Sequence, residues 1–148
     1  MEYGEKMKVY IRPWLTVGDS ESCSERIEAG CVHIYRSDMP DYDCQLHSHV
    51  QDYRLDYADG HELPVTRLRQ LSRTLMGYLD DIGQIHIHCH TGETRSPTIA
   101  LFALSLIEDR HPFDLLPDIY IPLWRQQERF ANFCVSPLRD ITRWYESR

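Results

Sequence analysis

One short segment carries side chains that could attack a phosphate group and hold its oxygens. Residues 88–96 read His-Cys-His-Thr-Gly-Glu-Thr-Arg-Ser, between a strand-like run at 84–88 and a helix-like run at 97–103. A loop that leads into a helix N-terminus directs several backbone N–H groups into one concavity, which suits a phosphate dianion. In that positive field a cysteine reacts as a nucleophile near neutral pH, which makes Cys89 the candidate nucleophile. Arg95 can hold two phosphate oxygens with its planar guanidinium.

The segment resembles the active-site loop of the cysteine-based protein tyrosine phosphatases, His-Cys-x-x-Gly-x-x-Arg-Ser/Thr. Its continuation, Ser96-Pro97-Thr98, resembles their dual-specificity branch. The fixed positions make a chance match on the order of 10⁻⁵ at ordinary residue usage. A buried structural thiol is the common role of a free cysteine, but that role leaves the spacing of Gly92 and Arg95 unexplained.

The resemblance implies a fold and a reaction. The fold is one α/β catalytic domain over residues 1–148, with a mostly parallel central sheet flanked by helices and the phosphate-binding loop between a strand and a helix. The reaction is hydrolysis of a phosphate monoester through a phosphocysteine intermediate. No metal and no organic cofactor is implied.

The resemblance also gives each loop residue a role. Cys89 is the nucleophile, and Arg95 binds phosphate and stabilises the transition state. His88 is a buried support for the loop, although an ordinary core histidine would look the same. The Ser96 hydroxyl assists departure of the thiolate, and it also suits a helix N-cap. The phosphate cradle consists of the backbone N–H groups of His90, Thr91, Gly92, Glu93, Thr94 and Arg95.

The general acid has to come from another part of the chain. The family places an Asp on a loop roughly thirty residues before the cysteine, and Asp59 stands at that spacing from Cys89. Asp59 follows the alternating apolar run at residues 53–57, and Gly60 beside it would permit a flexible loop. Asp56 is the alternative acid. A solvated turn is the non-catalytic interpretation, because Asp-Gly is a common turn pair.

Glu93 departs from most such loops, where many relatives carry a neutral or basic residue. Pointing inward it would repel phosphate, and pointing outward it would disfavour polyanionic substrates. The variable loop positions carry no Lys or Arg. This composition favours a singly phosphorylated substrate, such as a phosphoprotein bearing phosphotyrosine or, with a shallow pocket, phosphoserine and phosphothreonine.

Three other interpretations stay open. The chain could be a phosphate-reading binding module, a pseudophosphatase without turnover, which Glu93 weakly favours and the intact Cys89 and Arg95 oppose. It could hydrolyse a non-protein substrate such as a phosphoinositide or an RNA 5′-phosphate. His86, His88 and His90 alternate near the cysteine and could bind zinc, but His90 lies in the loop and no second cluster has metal-ligand spacing. We therefore predict no metal site.

Length and charge restrict the remaining function classes. The 148 residues suffice for one domain with a core. The net charge of −7 argues against non-specific binding to nucleic acid or anionic membrane. The sequence contains no apolar run of membrane-spanning length and no visible secretory signal. Five widely spaced cysteines, an odd number, suit reduced thiols and a cytoplasmic location. The oligomeric state is not predictable.

Hydrophobic periodicity predicts strands alternating with helices, hence an α/β domain with a largely parallel sheet. The active-site loop then lies at the carboxyl end of a strand, where such sheets bind ligands. Pro112, Pro117 and Pro122 are expected to break up the stretch after the loop's helix. The predicted strands are 8–11, 15–17, 31–35, 53–57 and 84–88, and the predicted helices are about 20–29, from Pro64 to Gly83, around 99–107, 123–133 and 137–145.

Overall fold

A computed structural model of the protein describes residues 8–19, 29–35, 52–57, 62–89 and 95–148. These residues form a five-stranded sheet with four helices. The strands are β1 (Lys8–Arg12), β2 (Leu15–Gly18), β3 (Gly30–Tyr35), β4 (Asp52–Asp56) and β5 (Ile85–His88). The helices are α1 (Val65–Asp81), α2 (Arg95–Glu108), α3 (Pro112–Gln127) and α4 (Val135–Glu146).

The strand order is β1-β2-β5-β3-β4, and only β1 runs antiparallel to its neighbour. The predicted α/β fold with a mostly parallel sheet is thereby confirmed. Because β2, β5, β3 and β4 are parallel, their carboxyl ends share one edge of the sheet, called the C-terminal edge below. The predicted helix at about 20–29 falls on residues that are almost entirely outside the described ones.

The core lies between one face of the sheet and the helices. Successive strand residues alternate between the two faces, and the face bearing Val17, Val32 and Ile87 is fully buried. Helix α2 is buried from Ser96 to Ser105, because the sheet, α1, α3 and α4 all pack against it.

The prediction that the prolines break up residues 112–122 is wrong. Pro112 begins α3, a position that needs no N–H, and His111 accepts a hydrogen bond from the Phe113 N–H at 3.1 Å. Pro117 and Pro122 lie inside the helix, where each removes a backbone donor. Burial of one helix face offsets this loss; its buried residues include Leu115, Ile119 and Leu123.

The predicted helix at 123–133 is also wrong in its extent. Helix α3 ends at Gln127, because Glu128 adopts a left-handed backbone with φ 52°. The last helix, predicted at 137–145, is confirmed as α4 with slightly longer bounds. Gly83 separates α1 from β5 as predicted, and its φ of 82° explains why glycine suits that position.

Helix α3 lies along the outer edge of β1. Arg12 donates to Glu108 Oε2 at 2.7 Å and to Asp118 Oδ2 at 2.6 Å. These contacts, with the Glu108 hydrogen bond first, raise the pKa of Arg12 above its ordinary value. Further along, the Gln126 side-chain amide accepts from the Tyr10 N–H and donates to the Tyr10 carbonyl, both at 3.0 Å. The contacts of Asp118 with Arg12 and of Gln126 with Tyr10 therefore fix α3 against β1.

Gly30→Ala should destabilise the fold. A Cβ on Gly30 would stand 2.0 Å from the Tyr78 ring, and the Tyr78 hydroxyl donates to the Cys31 carbonyl at 3.2 Å. We expect the free energy of unfolding to fall by about 1–3 kcal/mol, as for other overpacked cores. Gly77→Ala is the matched control: its Cβ meets nothing within 4 Å, so this helical site should gain about 0.5–1 kcal/mol. Equal denaturant midpoints for the two variants would contradict the packing argument.

Candidate active site

Cys89 follows β5 directly at the C-terminal edge. Its N–H donates to the Gly18 carbonyl at the end of β2, at 3.2 Å, which continues the β2–β5 ladder by one residue. The cysteine is 2% exposed. Two neighbouring strands therefore fix the backbone that carries the sulfur.

Ser96, the second residue of α2, contacts that sulfur twice. Its N–H donates to Cys89 Sγ at 3.4 Å, and its Oγ lies 3.2 Å from Cys89 Sγ. The same hydroxyl also reaches the Gly18 carbonyl, at 3.3 Å. A serine has one hydroxyl hydrogen, so Ser96 donates either to Gly18 or to the sulfur at a given moment. The helix N-terminus thus directs a backbone donor and a hydroxyl at the candidate nucleophile.

Arg95 is the first residue of α2, and its side chain is half-buried. It therefore stands one residue before the serine that contacts the sulfur. The remaining predicted cradle residues, His90, Thr91, Gly92, Glu93 and Thr94, lie outside the described residues, so their roles stay predictions. The structure brings together Cys89, Arg95 and Ser96 at one junction between a strand and a helix.

Three buried histidines lie behind the cysteine on the second face of the sheet. His88 and His33 occupy paired positions of β5 and β3, and their rings meet edge to face with centroids 4.7 Å apart. His86 stacks on His88 with centroids 5.5 Å apart, and its Nδ1 lies 2.8 Å from Thr16 Oγ1. All three rings are at most 1% exposed. This packing fits the predicted supporting position of His88.

Asp59 lies outside the described residues, but both ends of its segment are fixed. Strand β4 ends at Asp56, on the C-terminal edge, and the following Tyr57 is buried. The chain is anchored again at Leu63, which is 1% exposed and donates its N–H to Asp140 Oδ2 at 2.7 Å. The chain is thus described up to two residues before Asp59, and the role of Asp59 as the acid stays a prediction. Asp56, the alternative acid, is half-buried, and its carbonyl accepts from Arg67 Nη1.

Sequence reasoning missed two residues at this site. Gly18 supplies the carbonyl that both Cys89 and Ser96 contact, and His33 packs on His88. Both come from strands distant in the chain, and no local motif marks them. Only the register of β2 and β3 against β5 places them.

Metal and membrane features do not appear in the part of the chain that the structure describes. There, no three His, Cys, Asp or Glu side chains stand close enough to share a metal ion. His86 and His88 share a face as predicted, while His90 is outside the described residues. None of the described helices combines the length and apolarity needed to cross a bilayer.

Comparison with known proteins supports the fold through structure rather than sequence. No protein-family model matches the sequence, and no curated protein is significantly similar to it. A mouse protein assigned as a dual specificity phosphatase, solved with zinc tungstate, superposes with a TM-score of 0.77 at 14% identity, over 99% of this chain and 91% of its own. The human tyrosine phosphatase-like serine/threonine/tyrosine-interacting protein gives 0.76 at 17% identity, over 95% of each chain.

A third solved structure, PTPMT1 in complex with PI(5)P, gives a TM-score of 0.70 at 14% identity over 93% of each chain. At these identities the comparisons show the fold. The chain has the fold of the cysteine-based tyrosine and dual-specificity phosphatases, as the loop's resemblance implied.

Proposed function

We propose that this protein is a cysteine-dependent phosphatase that hydrolyses phosphate monoesters, with a phosphoprotein as substrate. One observation carries the proposal: Cys89 stands at the end of β5, where its sulfur accepts from the Ser96 N–H and lies 3.2 Å from the Ser96 hydroxyl. A structural cysteine needs neither the helix N-terminus nor the hydroxyl. The shared fold with phosphatases supports the same conclusion.

In the first step, the Cys89 thiolate attacks phosphorus in line with the leaving oxygen. The S–P bond forms as the P–O bond breaks, and the acid, Asp59, gives its proton to the departing oxygen. The equatorial oxygens stay in the cradle of residues 90–95, where Arg95 matches the spreading charge. The product alcohol or phenol leaves, and the enzyme holds a phosphocysteine.

In the second step, a water molecule attacks the phosphocysteine. Asp59, now a carboxylate, takes a proton from that water, and the S–P bond breaks to release inorganic phosphate. The electron pair returns to sulfur as a thiolate. Ser96 is placed to donate to that thiolate, since its Oγ lies 3.2 Å from the sulfur and can turn away from Gly18.

Ser96→Ala should slow the second step selectively. We expect phosphoenzyme breakdown to fall by about 10- to 100-fold, the range for a lost hydrogen bond to a charged group, while phosphoenzyme formation changes less. Rapid mixing with an aryl phosphate should then show a burst of product that the parent lacks. Ser105→Ala is the control, because this buried serine donates to the Arg110 carbonyl instead. Equal slowing of both steps would remove the proposed role.

Asp59→Asn tests whether Asp59 protonates the leaving group. Asparagine keeps the shape but cannot donate a proton. We expect alkyl phosphates to lose about 10²–10⁴-fold in kcat/KM, activated aryl phosphates far less, and the basic limb of the pH profile to flatten. Asp56→Asn is the matched comparison. If Asp56→Asn shows this pattern and Asp59→Asn behaves like the parent, the acid is Asp56.

The net charge of the protein and the composition of its loop favour a phosphoprotein substrate. A net charge of −7 and variable loop positions without Lys or Arg offer little attraction to polyanions such as nucleic acids or anionic membranes. A protein that bears a single phosphotyrosine, phosphoserine or phosphothreonine needs the least positive charge on the enzyme in order to bind. The five cysteines of the sequence are odd in number and widely spaced, which supports a cytoplasmic location.

Two alternatives have specific support. The human relative with this fold is named as phosphatase-like and as an interacting protein, which favours a binding module without turnover. PTPMT1 has been solved with the phosphoinositide PI(5)P, which favours a lipid substrate. Neither observation concerns the residues around Cys89, so the phosphoprotein proposal remains the better supported.

The decisive experiment measures phosphate release from an aryl phosphate, from matched phosphotyrosine and phosphoserine peptides, and from PI(5)P. The proposal expects aryl phosphate and phosphopeptide turnover above that of PI(5)P. Peptide binding without turnover of any substrate would favour the binding module. Preferential turnover of PI(5)P would favour the lipid phosphatase.

A further inference from the structure

The outer face of α3 and the turn after it form an apolar groove of about 440 Å³. We call it the α3 groove; its main lining residues are Tyr120, Ile121, Trp124, Arg125, Arg129 and Phe130. The aromatic side chains are unusually open, with Tyr120 46%, Trp124 49% and Phe130 69% exposed. Three adjacent exposed aromatics exceed the scattered apolar residues of an ordinary surface.

The backbone builds this groove. The left-handed Glu128 donates its N–H to the Trp124 carbonyl at 2.9 Å, and the Arg129 N–H reaches the Leu123 carbonyl at 3.3 Å. These two bonds end the helix and turn the chain back. Phe130 thereby lies against Trp124, with ring centroids 5.1 Å apart. The groove is preformed, which lowers the entropic cost of binding.

Helix α3, which carries most of the groove, runs toward the edge of the sheet that carries Cys89. Asp118 of α3 contacts Arg12 of β1, and Gln126, further along the helix, contacts Tyr10 of the same strand. Along β1, Tyr10 pairs with Thr16 and Lys8 with Gly18, so the helix runs toward the C-terminal edge. The end of α3, where the turn of the groove begins, is therefore nearer than its start to the edge that carries Cys89.

The groove is also basic at its rim. Arg125 and Arg129 line it on a chain whose net charge is −7, so it complements an acidic segment with a large apolar side chain. Two strand spacings separate β1 from β5, and the groove lies beyond β1, on the order of 20 Å from Cys89. An extended segment of about six residues spans that distance.

We infer that the α3 groove binds an acidic, aromatic segment of the phosphoprotein substrate, about six residues from the phosphorylated one. This inference rests on the proposed phosphatase function. Aromatic rings stack with Trp124 and Phe130, while the acidic residues face the exposed Arg125. The groove would then supply the substrate selectivity that variable loop positions without Lys or Arg do not supply.

The test uses two phosphotyrosine peptides. One carries about six Gly and Ser residues as spacer and then Glu-Leu-Phe-Glu-Asp; the other ends in Gly and Ser residues instead. In the parent, the acidic aromatic peptide should have a kcat/KM about tenfold higher, the effect of one good anchor. Trp124→Ala and Arg125→Glu should each bring that ratio close to one. Phe113→Ala and Arg139→Glu, exposed positions elsewhere on α3 and α4, should keep the parent's ratio.

The outcomes separate the two proposals. Aryl phosphate turnover with a peptide ratio near one in the parent overturns the docking inference and leaves the phosphatase intact. No turnover of any substrate overturns the phosphatase proposal, and the substrate role of the groove with it; Trp124-dependent binding of the unphosphorylated Glu-Leu-Phe-Glu-Asp peptide would then support only the acidic, aromatic ligand. A dimer that Trp124→Ala converts to a monomer assigns the groove to a second copy of the chain and also overturns the docking inference.

Discussion

Cys89→Ser should abolish hydrolysis and keep phosphate binding. A serine hydroxyl at this position is a far weaker nucleophile than a thiolate, so the first step has no competent attacking atom. We expect kcat to fall on the order of 10⁴-fold or more, as when other enzymes lose their nucleophile. The backbone donors and Arg95 remain, so a phosphopeptide should still bind at equilibrium. Phosphate release measures the loss of hydrolysis, and calorimetry measures the retained binding of the phosphopeptide.

Cys134→Ser is the matched control for this substitution. Cys134 is a free thiol at the N-cap of α4, where its side chain makes no capping hydrogen bond. Serine is a good N-cap residue, so this variant should fold and turn over like the parent. Retained turnover in Cys89→Ser, with acid-stable phosphate on another residue, would contradict the phosphocysteine mechanism.

The local part of the site was predictable because one stretch of chain contains it. Residues 84–103 encode a buried strand, a loop and a helix N-terminus, and the structure places Cys89 and Ser96 at that junction. Side chains that are close in sequence across such a junction must be close in space. The sulfur-to-hydroxyl distance of 3.2 Å follows from that geometry.

The non-local part was not predictable. Gly18 meets Ser96 across 78 residues of sequence, and His33 meets His88 only because β3 pairs with β5 in one particular register. A register is set by the packing of the whole sheet, which no single segment encodes. The alternation of His86 and His88 predicted a shared face, but not that His33 would complete a packed row.

The error at α3 has a different cause. Pro117 and Pro122 carry a strong local preference against helix interiors, yet the helix continues through both. Leu115, Ile119 and Leu123 lie on one side of it and are fully buried. Tertiary burial therefore outweighed local propensity. The same continuous helix brings Trp124 to the turn that forms the α3 groove.

Arg95→Lys should be nearly as damaging as loss of the nucleophile. The guanidinium offers two parallel N–H groups to two phosphate oxygens, whereas an ammonium offers a single point of charge on a flexible stem. Arg95 begins α2, one residue before the serine that contacts the sulfur, so the same end of the helix carries both residues.

Because charge spreads over the equatorial oxygens in the transition state, the loss should appear in kcat as well as in KM. We expect kcat/KM for an aryl phosphate to fall on the order of 10²–10³-fold, the effect of removing one preorganised donor. Tungstate, a tetrahedral oxyanion, should also bind more weakly. Arg143→Lys, on the exposed face of α4, is the control and should match the parent in both measurements. If Arg95→Lys keeps the parent's kcat/KM and tungstate affinity, the phosphate is held by the backbone alone, and the clamp assigned to Arg95 does not exist.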